Sequence, residues 1–74
     1  MKVICYMNGY PSIHEISDIS YYDNKIILTL HNSNDLLAAI CNDIEYYKFM
    51  IKSLMTQIFF EIKSDYNFLY YYNS

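Results

Sequence analysis

Leu37, Ile40, Ile44, Tyr47, Ile51, Leu54 and Ile58 recur at alternating spacings of three and four, the period of one apolar helical stripe. The pattern predicts one long α-helix over residues 34–56, roughly 33 Å at 1.5 Å per residue, with its end between Leu54 and Phe60. Ser33 or Asn34 would cap the first turn, and Asp35 would favour the positive end of the dipole. Cys41 and Met55 widen the predicted buried face. Asp43, Glu45, Tyr46, Phe49, Lys52 and Ser53 fall off it.

Around this helix the pattern is that of short strands. Lys2 to Met7 predicts an opening strand, and Asn8-Gly9 followed by Pro11 predicts a turn that keeps the next residues out of any central ladder. Ile13, Ile16 and Ile19 recur every third residue, which fits a helical turn as well as an irregular strand. Ile19 to Tyr22 and Lys25 to Leu30 flank Asp23-Asn24, a pair that tolerates positive φ in a two-residue hairpin. On the second arm Ile26, Leu28 and Leu30 share one face. Ile58 to Tyr72 predicts a closing hairpin with Ile58, Phe60 and Ile62 on one face and a turn at Lys63-Ser64-Asp65. The expected fold class is α+β. Residues 1–74 form a single domain, an antiparallel sheet of four or five short strands packed on the long helix. The heptad stripe has three readings: a face buried against this sheet, a dimer seam, or a face for a foreign partner. Its width with Cys41 and Met55 favours the first.

Composition narrows the function classes. The chain is 54% hydrophobic and 19% aromatic with ten Tyr, too many for a body of this size to bury, and surface Tyr is favoured in protein contacts. Net charge is −3 and Arg is absent, which argues against direct nucleic-acid binding, where a basic face and bidentate Arg are the rule. No window approaches the 18 apolar residues of a membrane span, and the short apolar run after Lys2 is too brief for a signal-peptide core. The expected location is the cytoplasm, with Cys5 and Cys41 as reduced core thiols.

Chemistry-bearing residues are few. Cys5, Cys41, His14 and His31 contain no pair at a metal-ligand spacing, so no metal or other cofactor is expected. A Cys–His nucleophile would need a walled cleft and oxyanion donors. Asp43 and Glu45, two apart on a helix, point in different directions. No catalytic residue is nominated, and the chain is read as no enzyme. The candidate partner-binding residues are aromatic: Tyr46 and Phe49 on the outer helix face, Tyr21 and Tyr22 in the hairpin, and Tyr70, Tyr71 and Tyr72 at the end. Clustered, they would act as rigid anchors.

Runs such as Ile19-Ser20-Tyr21-Tyr22-Asp23-Asn24-Lys25-Ile26, the scarcity of Gly and Pro, and the Ile, Asn, Tyr and Lys bias of AT-rich coding resemble small phage and mobile-element proteins. The anti-CRISPR inhibitors are similar in size and charge. The resemblance lies in overall character, without an aligned motif, so no residue role carries over. It implies a non-enzymatic protein that binds and blocks a larger host protein or ribonucleoprotein, such as a CRISPR–Cas complex. The competing readings are a homodimer or other homo-oligomeric accessory protein using the heptad or an exposed strand edge, and a small metal or redox protein.

Overall fold

Local turn chemistry builds the first half of the fold. In the computed structural model, which describes residues 1–72, β1 (Lys2–Met7) turns at Asn8-Gly9 into β2 (Tyr10–Tyr22). β2 turns at Asp23-Asn24 into β3 (Lys25–Leu30). Both loops have two residues, closed by the pairs Met7–Tyr10 and Tyr22–Lys25. All four loop residues take positive φ, from 53° to 84°, as the primed hairpin turns require. A Cβ on Gly9 would meet nothing within 4 Å, yet its φ is +84°. Gly9→Val is therefore expected to cost about 1–3 kcal/mol through backbone strain alone. A thermal melt at the wild-type midpoint would overturn that account.

β2 is the long strand that both halves of the sheet share. Its first part pairs with β1 and its second with β3, and an extra residue at Ser17 breaks the register between Ile16 and Asp18. The bulge explains the three-residue spacing of isoleucines. Alternation restarts across it, so Ile16 and Ile19 are both buried while Ile13 is exposed. Pro11 does lie within a strand, contrary to expectation, opposite Tyr6. It is tolerated because its nitrogen points away from β1, at a side that β3 does not reach.

The predicted long helix is not formed. Leu36–Ile40 is a strand, β4, and the helix α1 covers only Ile44–Thr56. Leu37 and Ile40 matched the helical spacing by coincidence. β4 pairs with β3 on one side and β6 on the other, so tertiary pairing overrides the local pattern. Ser33 accepts the Asp35 N–H within a loop. The true cap is Asp43, whose carboxylate accepts the N–H groups of Glu45 at 3.1 Å and Tyr46 at 3.4 Å. α1 stops where Gln57 becomes extended, which leaves Ile58 outside it and highly exposed. Its buried face is Tyr46, Met50 and Ser53, one residue, or about 100°, from the expected stripe. Tyr47, Ile51 and Leu54 form a half-buried shoulder, and Met55 is exposed rather than buried.

The C-terminal segment also departs from expectation. β5 (Phe59–Glu61) and β6 (Leu69–Tyr71) do not form a hairpin with each other. β5 runs parallel to β1 and β6 antiparallel to β4, giving a mixed six-stranded sheet in the order β5-β1-β2-β3-β4-β6. Between them Ile62 donates to Ile4 and Phe68 to the Tyr6 carbonyl, both at 2.9 Å, and Asn67 bridges Tyr6. One segment thus follows β1 and then crosses to β4, tying the two ends of a curled sheet together. Inside lie Val3 and Cys5 of β1, Ile26, Leu28 and Leu30 of β3, Leu37 and Ala39 of β4, with Phe60, Ile62 and Phe68 behind them.

Candidate interaction face

The outer surface of the β2–β3–β4–β6 half is where the sequence departs from the ordinary inside–outside alternation. β4 and the residue after it read Leu-Leu-Ala-Ala-Ile-Cys. Leu37, Ala39 and Cys41 belong to the core, and Leu36, Ala38 and Ile40 to the opposite side. A strand apolar on both faces is the signature of one covered on both faces. The register lines up its neighbours: Ile27 and Leu69 flank Ala38, Thr29 and Tyr71 flank Leu36, and Lys25 lies beside Ile40. Ile40 is 69% exposed, Leu69 54% and Tyr71 46%. The small side chain of Ala38 makes a floor between them. Two adjoining depressions, about 320 and 200 Å³, share Lys25, Ala38 and Tyr71 in their walls, with Asp65 and Asn67 at the rim of the larger.

A second apolar surface lies at the other end of α1. Met1, Leu54, Met55 and Ile58 line an open groove of about 620 Å³ whose polar members include Lys2, Glu15 and Gln57. It runs into a smaller hollow against Ile16 and Ile19. The N-terminal amine lies 3.7 Å from Glu15 beside it.

The seven aromatic candidates do not form one patch. Tyr71 lies on the outer face, and Tyr22 borders it beside Lys25. Tyr46, expected on the outer helix face, is buried instead. Its hydroxyl accepts the Lys63 N–H at 3.0 Å, its ring stacks on Tyr66 at 5.1 Å, and the Lys63 ammonium sits 4.9 Å from its centroid. Burial raises its pKa. Tyr21 is half-buried, donating to the Cys41 carbonyl at 2.6 Å and packing on Tyr47. Tyr70 donates to Asp35 at 3.0 Å and packs against the exposed Tyr72. Phe49 is 56% exposed but belongs to the helix, edge-on to Phe60. Sequence reasoning missed Leu36, Ala38, Ile40 and Leu69. The signal that could have found the first three is the unbroken apolar run of β4.

The chemistry-bearing residues are dispersed. Cys5 and Cys41 are buried free thiols, and among the described residues no three His, Cys, Asp or Glu come together as a metal site. His14 Nε2 lies 2.7 Å from the Ser12 hydroxyl, and burial lowers the imidazole pKa. No helix among the described residues is long and apolar enough to cross a membrane. The chain matches no protein-family model, no curated protein and no solved structure.

Proposed function

We propose that the chain is a non-enzymatic interaction module that docks the outer face of β3, β4 and β6 on a larger protein and blocks it. The observation that carries this reading is the strand β4, apolar on the core side and on the solvent side alike. Exposed Ile40, Leu69 and Tyr71 surround the Ala38 floor as anchors around a pocket, the arrangement in which a few residues supply most of the binding energy. Lys25 supplies one charge within the apolar area, and Asp65 another at its rim. The target class follows from the resemblance in size, charge and residue bias: a host defence complex such as CRISPR–Cas.

The test is site-specific photo-crosslinking in the host cell. A crosslinking residue at Tyr71 is expected to give one adduct far heavier than twice the 8.9 kDa chain, containing a subunit of a defence complex. Ile40→Lys is expected to abolish the adduct while changing stability by no more than about 0.5 kcal/mol, because the side chain faces water. Absence of any heavy adduct, or an adduct unaffected by Ile40→Lys in a folded protein, overturns the reading.

A further inference from the structure

Among the described residues, part of β2 has only one neighbouring strand. From Tyr10 to His14 it pairs with β1, while β3 occupies the other side only from Ile16 onward and His31 donates to the Glu15 carbonyl at 2.9 Å. In an antiparallel ladder, successive residues aim their backbone groups at opposite neighbours. Ile16 donates to Met1, so Ser12 and His14 face β1, whereas Pro11 and Ile13 face the vacant side. That side is a lane five residues, or about 17 Å, long. His31 closes one end, and at the other the chain turns away at Asn8-Gly9. The lane presents two carbonyls, of Pro11 and Ile13, and one N–H, that of Ile13.

We propose that this lane pairs antiparallel with the same lane of a second copy of the chain, about a two-fold axis at Ser12. In that register Pro11 faces Ile13 of the second copy, and Tyr10 faces its His14. The Ile13 N–H of each copy then meets the Pro11 carbonyl of the other. The missing N–H of Pro11 falls opposite the Ile13 carbonyl, which water can serve. The lengths also match. A strand entering the lane has to leave it before His31, and the second copy's own Asn8-Gly9 turn carries its chain back toward its own β1 at that point. Shifting the axis to Ile13 would set Pro11 of the second copy opposite Glu15, whose carbonyl His31 already occupies.

The side chains fit the same pairing. Tyr10-Pro11-Ser12-Ile13-His14 carries no lysine or other fixed charge, although natural edge strands are commonly guarded by lysine. Tyr10 is 73% and Ile13 63% exposed, and burial lowers the His14 pKa, which favours the uncharged imidazole. No like charges therefore oppose each other across the axis. The contact is small and lies at the weak end of specific interfaces, so it is concentration-dependent. It is separate from the docking face of β3, β4 and β6, and a dimer built this way presents that face twice.

Sedimentation from low micromolar to millimolar concentration, with amide exchange followed at Ile13, tests the proposal. The mass is expected to rise toward twice 8.9 kDa, with Ile13 exchange slowing several-fold over the same range. Ile13→Lys should remain monomeric with an unchanged circular dichroism spectrum, while Ile40→Lys should still dimerise. A monomer throughout, an Ile13 amide indifferent to concentration, or a dimer lost through Ile40→Lys instead overturns it. The two lysine variants keep failure of this pairing distinct from failure of the docking reading.

Discussion

Phe68→Ala is expected to remove a large part of the stability of this protein. The ring is 1% exposed and is the largest of the fully buried side chains. It sits where the C-terminal segment leaves β1 for β4, with its N–H on the Tyr6 carbonyl. Truncating a buried Phe typically costs about 3–5 kcal/mol, the lost transfer energy plus the cavity. A folded chain of this size has only roughly 4–11 kcal/mol in total, and each kcal/mol moves the midpoint by about 4–8 °C. A fall of roughly 15 °C or more in a thermal melt is therefore expected. Phe59→Ala serves as the comparison, since that ring is 45% exposed. Similar losses in the two variants would show that Phe68 is not the keystone described.

The second large effect is a loss of stability in alkali. Burial pushes the Cys5 thiol from 9.0 to about 11. Tyr66 rises from 10.0 to about 12, first through burial and then through its hydrogen bond to Cys41 and the negative charges of Cys41, Asp43 and Tyr46. Both groups are neutral when protonated, and both have native pKa values above the unfolded ones. Their contribution is complete below pH 9. As pH rises the unfolded chain releases these protons while the native state holds them, so stability falls from pH 9 to 11 for Cys5 and from 10 to 12 for Tyr66. For the thiol alone, two pKa units correspond to about 2–3 kcal/mol. Urea midpoints measured across this range should decline steadily, and in Cys5→Ala the decline between pH 9 and 11 should be shallower. The same shift leaves the native thiol without thiolate character at neutral pH, so it should resist alkylation until the protein unfolds.

These residues also mark which parts of the fold are legible in the sequence. Asn8-Gly9 and Asp23-Asn24 act through their own backbone preferences, so both turns, the second hairpin and the inward set Ile26, Leu28 and Leu30 could be read directly, whereas the pairing of Tyr10–His14 with β1 could not. Leu36–Ile40 could not. Its spacing suits a helix, and what makes it a strand is the ladder of β3 and β6, contacts set by residues distant in the chain. Asp43, the residue that caps the helix, lies inside the longer stripe that the spacing outlines, so the spacing alone masks it. Phe59–Glu61 could be recognised as strand-forming, but nothing local marks β1 as its partner. For the candidate face, tyrosine abundance directed attention to aromatic side chains, half of which the fold uses internally. The doubly apolar strand was the better sign, and taking it for a helix hid the second face.

The crossing of the C-terminal segment from β1 to β4 also bears on how the protein is made. Lys2 pairs with Phe59 and Leu36 with Tyr71, so both sheet ends wait for residues translated well after them. At about 5–20 residues per second, β1 exists for several seconds before its parallel neighbour is synthesised. During that time the hairpins can form, but Val3, Cys5 and Leu37 lack the Phe60, Ile62 and Phe68 that later cover them. The nascent chain therefore carries an unfinished apolar surface until Phe68 has been made, although β1 to β4 are all synthesised before β5.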